Sequence, residues 1–71
     1  MKTNLIFKRD LALCDYQVRK NYENNPLYKE VLDLIDGENV YKDLSGRLYC
    51  YLNYKDMKTK ISVKESECIY A

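Results

Sequence analysis

Histidine and tryptophan are absent from the 71 residues, and there are only one proline, two glycines and one phenylalanine. Without histidine, the commonest general base and the commonest neutral metal ligand are missing. Neither a Ser-His-Asp nor a Cys-His catalytic arrangement can be assembled from this chain. No apolar run approaches the ~20 residues of a membrane-spanning helix, so no membrane partner is expected. Length excludes more. A chain this short buries about 60% of the surface its unfolded form exposes. That supports a thin two-layer core and leaves no chain for a deep catalytic cleft. The expectation is a single domain over residues 1–71 that is not an enzyme, with no catalytic residues and no cofactor.

Cysteine is scarce and badly spaced for a metal. Cys14, Cys50 and Cys68 lie 36 and 18 residues apart, with no C-x-x-C pair. Structural zinc sites take four Cys or His ligands in close pairs, so no metal is expected. An odd count without a secretory signal reads as reduced thiols in a cytoplasmic protein. Free cysteine packs as a small apolar side chain. All three are read that way here, with Cys68, near the terminus, the most exposed.

What is plentiful is tyrosine, with eight residues, together with six asparagines and nine lysines against three arginines. Lys, Asn, Tyr and Ile use A/T-rich codons, whereas Ala, Gly, Pro and most Arg codons are G/C-rich. The usage suggests an A/T-rich genome, such as a low-GC bacterium or its phages and plasmids. Small size and the missing catalytic inventory then suggest an accessory or inhibitor protein of a phage or mobile element. Hydrophobic residues at 46% and charged residues at 32% are a globular composition, not a disordered one.

The single proline and the two glycines punctuate the chain. Before Pro26, residues Phe7, Leu11, Cys14, Val18 and Tyr22 fall on one helical stripe about 80° wide. A helix over 4–22 follows, with Thr3 as N-cap; Leu5–Phe7 can alternatively begin as a short strand. A second helix is expected over 26–36. Asn25 caps it, Pro26 takes the first helical position, and Gly37 supplies the left-handed stop. Leu27, Tyr28, Val31, Leu34 and Ile35 form its apolar stripe.

From Glu38 onward the period changes to two, as in strands. Residues 47–54 alternate Leu48, Cys50, Leu52 and Tyr54 against Arg47, Tyr49, Tyr51 and Asn53. Residues 58–64 alternate Thr59, Ile61 and Val63 against Lys58, Lys60, Ser62 and Lys64. A turn through Lys55–Lys58 sets Tyr54 opposite Thr59 and Leu52 opposite Ile61. A further strand over 39–43 joins through a three-residue loop with Gly46 at its left-handed position. That register places Tyr41 beside Tyr49 and pairs Asp43 with Arg47 by charge. Cys68–Tyr70 adds a short strand or turn. The expected fold is α+β, with two N-terminal helices packed on one face of a three-stranded antiparallel meander.

The other face of that sheet carries the candidate site. Tyr41, Tyr49 and Tyr51 are interleaved with Arg47, Lys58, Lys60 and Lys64. Between Arg47 and Lys64 there are five basic residues and one acidic, a charge of +4. The whole chain carries +1, so the remainder carries −3. The plainest reading is a solvated sheet face on which tyrosine rings and lysine stems support the strands. The first functional reading is contact with a host or cognate protein through Tyr41, Arg47, Tyr49 and Tyr51, because Tyr and Arg anchor interfaces. The second is nucleic-acid binding, with Tyr49 and Tyr51 stacking on bases while Arg47, Lys58, Lys60 and Lys64 neutralise phosphates. No glycine-rich phosphate loop or recognition-helix pattern accompanies it. The carboxylate pairs Asp33/Asp36 and Glu65/Glu67 read as solvated surface. A strand at the sheet edge also offers a route to a homo-oligomer.

Overall fold

In the computed structural model, which describes residues 1–71, the chain begins along a sheet edge and not in a helix. The elements are β1 (Leu5–Phe7), α1 (Arg9–Ala12), α2 (Tyr16–Asn24), α3 (Pro26–Asp33), β2 (Tyr41–Lys42), β3 (Leu48–Tyr54), β4 (Met57–Val63) and β5 (Cys68–Tyr70), with a 3₁₀ turn at Glu65–Glu67 before the last. The α+β class holds. The arrangement is more divided than the sequence pattern implies, with three helices and two antiparallel sheets, β2-β3-β4 and β1-β5.

The expected helix over 4–22 is broken twice, at its start, where a strand is the alternative, and at Asp15, where the pattern predicts no break. Leu5–Phe7 pairs with the tail instead, Leu5 opposite Tyr70 and Phe7 opposite Cys68. Thr3 therefore caps nothing. Its hydroxyl donates to the Val40 carbonyl at 2.8 Å and accepts the Leu5 N–H at 3.1 Å. The second break is at Asp15, whose carboxylate accepts the N–H groups of Gln17 (2.9 Å) and Val18 (3.3 Å) and starts α2 afresh. The stripe divides accordingly. Phe7 is buried from a strand, Ala12 from α1, and Val18 and Tyr22 half-bury from α2, while Leu11 and Cys14 are exposed.

Helix α3 starts as expected, with the Asn25 side chain accepting the N–H groups of Leu27 and Tyr28 at 3.1 and 3.3 Å. It stops sooner, at Asp33 with Leu34 as C-cap. The reason is a competing sheet contact: Ile35 bridges to Leu52, and the Asp36 N–H donates to the Tyr51 carbonyl at 2.9 Å. Gly37 is consequently not a left-handed stop. It lies against β1, accepting the Phe7 N–H at 2.8 Å, and a Cβ there would come within 2.5 Å of the Phe7 carbonyl oxygen. The apolar stripe is also rotated. Leu32 is the buried member and Tyr28, Val31 and Ile35 are half-buried, whereas Leu27 and Leu34 face solvent.

The meander forms with one corrected register. Tyr41 pairs with Tyr49, and Gly46 adopts φ +87° in the three-residue loop, both as expected. The β3–β4 turn is shorter than expected. Lys55 and Asp56, at φ 50° and 64°, form a two-residue turn that sets Tyr54 opposite Met57, Leu52 opposite Thr59 and Leu48 opposite Val63. Two-residue turns with positive φ match the twist of the flanking strands. The shift is two residues, so every side chain keeps its face. It also brings buried Leu48 against buried Val63.

Met1–Thr3 adds to the outer side of β2: Lys2 bridges Tyr41, the Lys42 N–H donates to Met1, and the Thr3 N–H donates to Val40. The core cluster is Phe7, Ala12, Leu32, Val40, Leu48, Cys50 and Val63. It joins β1, α1 and α3 to the apolar face of the three-stranded sheet and leaves the tyrosine face uncovered.

Candidate functional site

Three strands converge on this face because β3 is central and alternates. Leu48, Cys50 and Leu52 are buried, so Tyr49 and Tyr51 stand on the other side. Tyr41 arrives from β2 directly opposite Tyr49. The three rings form a closed triangle with centroids 5.6 Å apart in every pair. Tyr41 and Tyr49 are stacked at 20°, and Tyr51 meets both edge-on, at 66° and 86°. These are the offset and edge-to-face geometries that the ring quadrupole favours.

Two lysines of β4 complete the cluster. The Lys60 ammonium lies 3.9 Å from the Tyr49 centroid and the Lys58 ammonium 4.3 Å from that of Tyr51. Both are diagonal contacts, since Tyr51 is the residue directly opposite Lys60 and Asn53 the one opposite Lys58. At an exposed position the Lys58 contact contributes about 0.5–1 kcal/mol. Tyr49, on the central strand, has Tyr41 stacked from β2 and Lys60 set over it from β4. Crowding removes water from the Tyr49 phenol and pushes its pKa up, and the adjoining Tyr51 phenol adds to the effect. No carboxylate or backbone carbonyl accepts from any of the three hydroxyls. Tyr22 differs, donating to Asp33 at 3.0 Å.

Of the residues singled out in the sequence, Tyr41, Tyr49, Tyr51, Lys58 and Lys60 come together. Arg47 does not join them. It sits at the end of the Leu44–Gly46 loop, exposed, with its backbone N–H donating to the Asp43 carboxylate at 3.0 Å. The expected Asp43–Arg47 charge pair is therefore replaced by a loop cap. Asp43 also accepts from the Ser45 hydroxyl at 2.6 Å and the Ser45 N–H at 2.9 Å, and these contacts hold its carboxyl below the usual range, the hydroxyl most of all. Lys64 is drawn away too. Its ammonium approaches Asp15 at 3.7 Å, and its N–H donates to Glu67. Lys2 is the residue that sequence reasoning missed. Its bridge to Tyr41 puts its side chain on the same face, and a single position before the first element carries no periodic signal.

Three of the four carboxylates considered above, Asp33, Asp36 and Glu67, have hydrogen-bond partners. Asp33 accepts from Arg9 at 2.9 Å and from Tyr22, tying α1, α2 and α3 together, and Arg9 holds its carboxyl below the usual range. Glu67 caps the 3₁₀ turn. The cysteines require a correction: Cys14 is the exposed one, Cys68 is half-buried, and only Cys50 is fully buried. Burial pushes the Cys50 thiol up to about 12. No group of three or more Cys, Asp or Glu side chains is placed to hold a metal ion. No helix is long and apolar enough to cross a membrane.

No family model, curated protein or solved structure matches the chain. The functional reading of this face rests on its own chemistry.

Proposed function

We propose that the protein is a small non-enzymatic binding module that acts by protein–protein contact through the Tyr41–Tyr49–Tyr51 face, with Arg47 at its margin. The observation that carries this reading is the occupation of the ring faces. Lys60 and Tyr41 attend Tyr49, and Lys58 covers Tyr51. Base stacking needs a free ring face. Rings covered in this way offer edges and hydroxyls instead, on side chains already packed against their neighbours. Such pre-ordered aromatic anchors suit a protein interface, because little further entropy is lost on contact. An accessory or inhibitor role toward a host or cognate protein is consistent with the small size and with an amino-acid usage rich in residues of A/T-rich codons.

A nucleic-acid reading keeps one point in its favour, the +4 charge of residues 47–64. It requires Lys58 and Lys60 to leave the ring faces so that bases can stack there. Affinity capture from a lysate of the source cell, with and without nuclease, separates the two. Protein contact predicts a retained protein that survives nuclease and is lost when Tyr49→Ala and Tyr51→Ala are combined. Loss of all captured material on nuclease treatment contradicts it.

A further inference from the structure

We infer that the outer edge of β4 is a strand-addition site for an extended segment of a protein partner that alternates acidic and apolar residues. The inference deepens the proposed function by naming the partner's chemistry. It stands on the backbone of β4 and not on the tyrosine rings.

The sheet order β2-β3-β4 leaves β4 at an edge, whereas β2, at the other end, is covered by Met1–Thr3. In a two-residue hairpin the pair flanking the turn is hydrogen-bonded, here Tyr54 and Met57. Alternation then directs the N–H and C=O groups of Lys58, Lys60 and Ser62 away from β3. Outside the β3 ladder, no backbone or side-chain group bonds to them. Extended peptides bind such edges through main-chain hydrogen bonds and take their specificity from alternate side chains.

The two faces of β4 dictate that alternation. Side chains of an added strand that lie beside Lys58 and Lys60 meet two ammonium groups on a hairpin of charge +4, with the nearby Asp43 carboxylate engaged in its own loop. Acidic residues fit there. Side chains on the other face lie beside Thr59 and Ile61, where a crevice of about 100 Å³ between α3 and β4 is lined by Tyr28, Val31, Ile35 and Ile61. Branched aliphatic residues fit there. A second copy of this chain fits poorly, since antiparallel self-pairing centred on Lys60 sets lysine against lysine.

The test uses the full chain and a capped seven-residue peptide alternating Glu and Val. Binding is followed by amide exchange and chemical shifts at low and moderate salt. The expected result is slowed exchange at Lys58, Lys60 and Ser62. With the peptide antiparallel to β4, affinity should weaken at least tenfold when the glutamate amides are N-methylated and stay nearly unchanged when the valine amides are. Lys58→Glu combined with Lys60→Glu should also weaken it at least tenfold. The Tyr49→Ala/Tyr51→Ala variant should still bind the peptide, so failure of the tyrosine face and failure of this edge are distinguishable. Unchanged exchange at the three amides under saturating peptide overturns the inference. So does equal binding of both methylated peptides, or protection of β4 by self-association of the free protein.

Discussion

The Lys60 ammonium sits 3.9 Å from the centre of the Tyr49 ring, and Tyr41 stacks on that same ring. This contact fixes where a charge and an aromatic face point, and it has a spectroscopic consequence. Protons held over a ring are shifted upfield. The side-chain methylene protons of Lys60 should be displaced upfield from those of an exposed lysine with no ring beside it, such as Lys8, and Tyr49→Leu should restore them. Lys58, which rests on Tyr51, should keep its own shift in that variant. Side-chain NMR assignments check both outcomes.

The tyrosine face was legible because a period of two is robust: even a two-residue error in the β3–β4 register leaves Tyr49, Tyr51, Lys58 and Lys60 together. Helix α3 was legible because Asn25-Pro26 is a local chemical signal. The N-terminal half was not. Leu5–Phe7 satisfies a helical stripe as well as a strand, and what decides is β5, more than sixty residues away. The rotation of α3 toward Leu32 likewise depends on Ile35 being claimed by Leu52. Local periodicity carries no information about a distant competitor for the same backbone.

The β3–β4 turn places two residues with side chains at positive φ, Lys55 at 50° and Asp56 at 64°. Each L-residue there meets a steric cost of roughly 1–2 kcal/mol. Asn-Gly suits this turn geometry far better. Lys55→Asn combined with Asp56→Gly should therefore raise stability by about 1 kcal/mol, read as a higher urea midpoint with an unchanged slope. An unchanged or lower midpoint would show that the turn is not under strain.

The Asn25 side chain is the N-cap of α3, and no second group bonds the N–H groups of Leu27 and Tyr28 there. Asn25→Ala should cost about 1 kcal/mol. For a domain of this size that corresponds to a melting temperature lower by roughly 4–8 °C. Asn25→Asp should be nearly neutral, and thermal unfolding by circular dichroism distinguishes the two.

The three thiols should react in the order of their exposure. In the folded protein Cys14 should label first with a maleimide, Cys68 more slowly, and Cys50 only after denaturant is added. Peptide mass mapping of a labelling time course gives the order directly. Early labelling of Cys50 would mean that the core cluster around Val40 and Leu48 opens readily.

Stability should be flat between about pH 5 and 8 and fall on both sides. Asp33 and Asp43 have carboxyls held low by Arg9 and by Ser45 respectively, and Asp15 is held low by the N–H groups of Val18 and Gln17. A lowered carboxyl stabilises above its unfolded value near ~3.9 and ceases to do so as pH falls through its folded value. On the alkaline side the signs reverse. Cys50 is raised by burial to about 12, so its contribution is complete only below the unfolded thiol value near ~8.5. The half-buried phenols of Tyr22, Tyr28 and Tyr49 are raised as well and act from about pH 10 upward. Burial raises the Cys68 thiol as well, so Cys50→Val should diminish the first alkaline step, Cys50→Val combined with Cys68→Val should remove it, and both should leave the second, as urea midpoints across pH would show.

The measurement that bears most directly on the tyrosine face is site-specific photo-crosslinking in the source cell. Benzoylphenylalanine replaces Tyr51, inside the ring triangle, or Tyr16, exposed on α2 as the control position. Protein–protein contact through the face predicts one crosslinked protein species from position 51, insensitive to nuclease and absent from position 16. Equal labelling from both positions, or crosslinks at position 51 to nucleic acid alone, would contradict it.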